Sequence, residues 1–295
     1  MSYKLVDYVQ GSLEWHKWRR LKIGASEIAP IMGDCPYETP LTLFEKKITG
    51  EEKKDNRAMQ MGREAEPKAL EWVNNKLGTN YKPVCVESTD HPHLILSLDG
   101  WDPHASIPIL EIKRMGKDKH EAARQKIIPI NYQWQVQDQM FVTGSDAVLF
   151  CSYQNDEDVV LLEEKENASM WNRIQDETRP FYERLLNFDA PPPCEKDYYN
   201  ISDIEIINLL GEYDSLEKSF KEIENRIKEA RNAIIAGIEK YNVKRAILGS
   251  RKISNYLVRG RIDYDEIPEI KTLKENGEIE KYRKSSSSQW KITKK

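Results

Sequence analysis

Two short apolar runs joined through turn residues constrain this chain more than anything else in it. Leu94-Ile95-Leu96-Ser97-Leu98 leads into Asp99-Gly100, and a second run from Ile107 to Ile112 carries Glu111 and is followed at once by Lys113. Strand side chains alternate faces, so Glu111 and Lys113 share one side while Ile112 points into a core. A hairpin built this way gathers two carboxylates and an ammonium at one end. Carboxylate oxygens suit a hard divalent ion such as Mg²⁺. Such an ion lowers the pKa of a bound water and offsets charge on a phosphate, which is the chemistry of phosphodiester cleavage. Alone, Asp followed by Glu-x-Lys also describes a hairpin with a solvated charged face, so the motif needs company.

The 295 residues suffice for one large domain, or one domain with an appendage. The formal net charge of −4 does not advertise nucleic acid, yet acidic residues elsewhere can mask a basic groove. The four cysteines, Cys35, Cys85, Cys151 and Cys194, form no C-x-x-C pair. Their scatter argues against zinc or iron–sulfur centres and for reduced thiols. With no signal-peptide pattern and no apolar run of membrane-spanning length, the expected location is the cytoplasm, with no membrane partner.

Along the chain, Ser12 reads as the cap of a short helix through Arg20, and Ser26 as the cap of a second, Glu27 to Met32. Thr39-Pro40 opens another by the cap-then-proline rule. A long helix runs from about Asn56 to Leu77 and ends at Gly78. Strands are expected near Val84–Glu87, Leu94–Leu98 and Ile107–Lys113. Helices then cover Lys117–Lys126 and Asn131–Val142, strands Ala147–Tyr153 and Asp158–Leu162, and a helix Ala168–Leu186. This mixed order predicts an α/β core around a central sheet. Ala190-Pro191-Pro192-Pro193-Cys194 marks a break, giving a core over 1–190 and an appendage over 191–295. The appendage opens with a long acidic helix, 203–241, whose apolar residues (Ile207, Leu210, Tyr213, Leu216, Phe220, Ile223, Ile227) recur as in a packed or coiled-coil helix. A basic, β-rich tail, 244–295, follows, with strands at Ala246–Gly249 and Ile253–Val258, a basic run from Lys244 to Arg261 and a second from Lys281 to Lys295. Solvated basic faces and phosphate contacts explain such runs equally well.

Three further segments give the hairpin its company. They are Trp15-His16-Lys17-Trp18-Arg19-Arg20 with Ile23-Gly24-Ala25-Ser26-Glu27, then Met61-Gly62-Arg63-Glu64-Ala65-Glu66, then Tyr132 to Met140. In the last, Tyr132, Gln135 and Gln139 fall on one helix face, a polar stripe beside Val136 and Met140. In order and spacing the set resembles the YqaJ-type viral recombinases, the phage lambda exonuclease family within the PD-(D/E)xK nuclease superfamily. The resemblance runs from about Ser12 to Leu186 and implies a restriction-endonuclease-like core: a central mixed sheet flanked by helices, here with a long C-terminal helix and a small β appendage.

It implies further a Mg²⁺-dependent 5′-to-3′ exonuclease on linear duplex DNA, with Mn²⁺ as a substitute. Asp99 and Glu111 match the metal-binding carboxylates, Ile112 a backbone carbonyl ligand and Lys113 the catalytic lysine. Glu66 matches the helix carboxylate. Glu64 is its rival, but the two point about 200° apart on a helix, and the family's Gly-x-x-x-Glu spacing selects Glu66. Gln135 matches a glutamine that orients the water or the scissile phosphate. Arg19, with Ser26 and Ala25, matches the 5′-phosphate seat, with Arg20 one residue off. Tyr132 and Gln139 are further candidates to face DNA. The family also implies a single-strand annealing protein as partner and a homo-oligomer in the form of a trimeric ring. Against these stand another nuclease of the superfamily, cutting internally, and a non-catalytic module that binds DNA ends.

Overall fold

The computed structural model of the protein describes residues 2–51, 56–275 and 278–282. The chain divides into two compact units, Met1–Ile201 and Ser202–Lys295. Arg283 to Lys295, with most of the second basic run and the Ser285–Ser288 stretch, lies outside the described residues.

The first unit is a sheet in the order β1 (Tyr3–Val6), β3 (Lys82–Ser88), β4 (Leu94–Trp101), β5 (Ile109–Lys113), β6 (Ala147–Asn155), β7 (Asp158–Lys165). A two-residue strand, β2 (Ile23–Gly24), pairs in parallel with the start of β4. β4 and β5 are antiparallel, β5 and β6 parallel, and the others antiparallel. The crossover from β5 to β6 contains α5 (Lys117–Arg124) and α6 (Ile130–Thr143).

Alternation along β5 and β6 sorts the apolar residues into two layers. Ile109, Val148 and Phe150 pack with α2 (Ile28–Ile31), α3 (Pro40–Thr49), α6 and α7 (Ala168–Asn187). Leu110, Ile112 and Cys151 pack with Ala65, Ala69 and Val73 of α4 (Arg57–Leu77) on the other face. Helices thus flank a mixed central sheet.

Most helix ends follow their local chemistry. Thr39 caps α3 by accepting from the Thr42 N–H at 3.1 Å, Pro40 takes the first helical position, and Gly50 closes it at φ 73°. Asn56 caps α4 and Gly78 ends it. Ser12 caps α1 (Leu13–Arg19) through the Trp15 N–H. Ser26 departs from expectation. It lies inside a 3₁₀ turn, Ala25–Glu27, that begins two residues earlier at Gly24, because the Glu27 carboxylate reaches back to accept the Gly24 N–H at 2.8 Å.

In the second unit, Asp203 caps α8 (Ile204–Glu239), a 36-residue helix without a buried residue. β8 (Arg245–Leu248) and β9 (Arg251–Ser254) form a hairpin. Where a β-rich tail was expected, the described chain beyond the hairpin turns helical. Pro268 opens α9 (Pro268–Glu275), as a proline at a first helical position does. No described helix is long and apolar enough to cross a membrane.

Candidate active site

Glu111 stands at the middle of β5 with its side chain on the α6 layer, and it is fully buried. An unpaired carboxylate there would be prohibitively costly. Three neighbours compensate. Lys113, two residues on and hence on the same face, forms an ion pair with Glu111 Oε1. The side-chain amide of Gln135 donates to the same oxygen at 2.6 Å, and that of Gln139 donates to Oε2. Gln135 and Gln139 lie one helical turn apart on α6. Gln139, expected to face DNA, is instead fully buried and spends its amide on Glu111. The polar stripe is therefore the lining of a buried carboxylate rather than a solvent face. Tyr132, at the start of the stripe, is partly exposed and carries Lys113 and Lys119 against its ring, at 5.6 and 5.2 Å.

Asp99 enters from the neighbouring strand. Its Oδ2 accepts the Ile112 N–H at 2.7 Å, tying the carboxylate to the β5 backbone between Glu111 and Lys113. The residue after it must be glycine: a Cβ on Gly100 would stand 2.9 Å from Tyr81 Cβ and 3.1 Å from Leu110. Burial, then the charge of Glu111, pushes the Asp99 carboxyl well above the usual range. Glu66, on α4, feels the same cluster. Burial raises its pKa, and the pull of Lys113 does not cancel that effect together with the repulsion of Glu111. Glu64 is exposed and accepts from Gln60. Burial works against the charge of Lys113, but Glu111 and Asp99 outweigh it and hold the ammonium protonated.

Three oxygen-donor carboxylates that repel one another are the donor chemistry a hard divalent ion takes. Among the described residues, no three His, Cys, Asp or Glu side chains are already drawn close enough to hold a metal ion. Lys113, the two glutamines and the Ile112 N–H occupy the carboxylates instead.

A second cluster lies at the N-terminal turn. The Arg19 guanidinium stacks on Trp15 at 4.4 Å, with Nη2 3.5 Å from Ser26 Oγ and 3.9 Å from Glu27. Ser26 is exposed and Ala25 buried. Arg20 points elsewhere, donating to the Ile48 carbonyl at the end of α3. Beneath the turn, Glu27 pairs with the buried Lys47 at 2.7 Å. Burial opposes the Glu27 charge, but Lys47 and Arg19 outweigh it and hold the carboxyl below its usual range. Sequence reasoning passed over this ion pair; its one signal was an acid set in the apolar run from Ile23 to Ile31. α6 packs against both this turn and β5, so one rigid helix bridges the two clusters. Trp15 and Trp18 spend their indole N–H groups on Ser97 and Glu87, as packing residues do.

His120 joins Ser152 at 2.6 Å and Asp158 at 2.8 Å. Ser152 is fully buried, so this Ser–His–Asp line ties α5 to β6 and β7 and offers no nucleophile.

The mixed sheet sets an aspartate on one strand and Glu-x-Lys on its antiparallel neighbour, the arrangement expected of a restriction-endonuclease-like core. Residues 14–146 match the sequence model of the YqaJ-like viral recombinase domain. Two solved structures share the fold: the alkaline exonuclease LHK-Exo of Laribacter hongkongensis, and LHK-Exo in complex with dAMP. Each is 24% identical, with a TM-score of 0.52, and the match covers 60% of this chain and 94% of the exonuclease. No curated protein matches the chain significantly.

Proposed function

We propose that the protein is a metal-dependent exonuclease that enters linear duplex DNA at the 5′ end and leaves a 3′ single strand for phage-type recombination. One observation carries the reading: Glu111 is buried and held at both oxygens beside Lys113, and its charge reaches both Asp99 and Glu66, helping to raise the pKa of each. The viral recombinase match and the fold shared with an alkaline exonuclease support it.

Asp99, Glu111 and Glu66, with the Ile112 carbonyl, would hold Mg²⁺, or Mn²⁺ in its place. When bound, the ion supplies a water of lowered pKa and positive charge against the phosphate. Gln135 and Gln139 fix the Glu111 oxygens, so no reorganisation is needed as charge develops. Lys113, protonated between Glu111 and the exposed edge of the site, orients the attacking water or the scissile phosphate. Arg19, braced on Trp15, turns its planar guanidinium toward Ser26, a geometry suited to a terminal 5′-phosphate, and the Ala25 backbone lines the same turn. Since α6 abuts both clusters, the held end and the cut bond keep a fixed separation, which gives the direction of travel.

The reading assigns catalysis to residues 1–190 and treats 191–295 as an appendage. It carries with it a single-strand annealing protein to receive the product, a ring of three copies around the duplex, and a cytoplasmic site of action.

The test is digestion of a linear duplex labelled separately at each strand end, with Mg²⁺ or chelator and with 5′-phosphate or 5′-hydroxyl, beside Glu111→Ala. The expected result is Mg²⁺-dependent loss of the 5′-phosphorylated strand, absent from the variant. Cutting of a supercoiled circle would identify an endonuclease instead. Binding without turnover in any divalent ion would identify an end-binding module.

A further inference from the structure

The apolar face of α8 follows a strict seven-residue repeat that the nuclease reading does not use. Ile206, Tyr213, Phe220, Ile227 and Ile234 recur every seventh residue. Leu209, Leu216, Ile223, Ala230 and Gly237 recur three residues after them. These are the a and d positions of a coiled coil. No residue of the helix is buried; Phe220 is 66% exposed and Ile227 63%. The helix spans about 54 Å at 1.5 Å per residue, so the seam is long enough for a stable helix pair, and an uncovered stripe of this size is a contact surface.

The residues along the seam identify the occupant. In a parallel, in-register pair, Glu212 would meet Glu217 of the second copy, and Arg226 would meet Arg231, so both charged contacts would be repulsive. That pair would also stack Tyr213 on Tyr213 while leaving Gly237 opposite Gly237. Running the copies antiparallel sets Phe220 against Ala230 and Tyr213 against Gly237, a large side chain over a small one at each. The same alignment sets Leu216 against Ile234 and Ile223 against Ile227, and brings Glu217 to Arg231 on both sides. It leaves one like pair at each side of the crossing point, Glu224 with its copy and Arg226 with its copy. A helix-interior glycine costs about 1 kcal/mol relative to alanine. Nothing lies within 4 Å of where a Cβ on Gly237 would stand. Crowding within the chain therefore does not require the glycine, whereas room for a facing tyrosine does.

We propose that α8 is a self-association element that docks antiparallel on α8 of a second copy of this chain. The pairing is independent of the nuclease reading.

Sedimentation equilibrium of the full-length chain at micromolar concentration tests it, with Leu216→Glu/Ile223→Glu as the disrupting variant. The expected mass of the wild type is twice that of the variant, as pairing joins two monomers or two of the proposed rings of three. Equal masses would overturn the proposal. Because the variant could lose helix along with the contact, a charge series accompanies it. Glu217→Lys alone and Arg231→Glu alone should each weaken the pair, and the two together should restore the doubled mass; no restoration would overturn the alignment. Orientation is read by disulfide trapping in a Cys194→Ser background, which removes the exposed thiol. Leu216→Cys mixed with Ile234→Cys should cross-link. Faster cross-linking of Leu216→Cys with itself would mean parallel pairing and sink the antiparallel assignment.

Discussion

A carboxylate with no solvent contact needs every lone pair accounted for, and Glu111 comes close to that condition. The cost appears one step out. The Gln139 Oε1 is buried without a hydrogen-bond partner, and both oxygens of the adjoining Asp138 are too. Burial alone pushes the Asp138 carboxyl well above its usual range. Gln139→Leu should keep the packing volume while freeing Glu111 Oε2. We expect activity to fall by about 10–100-fold, the size typical for partners of metal ligands, with near-wild-type far-UV circular dichroism. Full activity in that variant would show that Gln135 and Lys113 hold Glu111 unaided. The sequence showed the shared face of Gln135 and Gln139 but not its direction. A polar stripe reads alike whether it meets water or a buried charge, and only the position of Glu111 across the sheet distinguishes them.

Helix boundaries were legible because capping is local: Ser12, Thr39, Asn56, Gly78 and Gly144 mark their ends within a residue or two. β1 and β2 were not. Four residues and two residues are too short for a period to show, and β2 exists because the start of β4 leaves it an open edge. The element built on β2 carries a sharp expectation. A Cβ on Gly24 would stand 2.8 Å from the Arg19 Nη2, and the backbone there, at φ −89°, accepts any residue. Gly24→Ala should thus leave the turn folded and lift the guanidinium away from Ser26. Kinetics on matched 5′-phosphate and 5′-hydroxyl duplexes should show the preference for phosphate shrinking several-fold, with the rate on hydroxyl ends nearly unchanged. A preference that survives would remove Arg19 from the 5′ seat.

At the scale of the whole molecule, the first compact unit runs on past the proline-rich stretch to Ile201. Beyond Pro193 the chain returns to it: Thr39 Oγ1 donates to Asp197, and the Lys196 ammonium reaches the Gly33 carbonyl. A chain ending at Ile201 should be more stable than one ending at Ala190 by about 1 kcal/mol, the scale of one hydrogen bond at a helix cap. Urea midpoints of the two would settle this, and coincident midpoints would mean the strap is passive. Prolines are conspicuous in sequence, while a single aspartate that docks four residues later is not.

The parallel pairing of β5 with β6 has a consequence for how the protein is made. Asp99 and Glu111 leave the ribosome early, but their setting depends on Gln135, Gln139 and a strand that ends at Asn155. Crossovers of this kind are slow, since loop-closure entropy precedes the contacts that offset it. The charge cluster therefore stays unassembled until the chain has emerged at least as far as Asn155, and any activity it supports begins only after the crossover has closed.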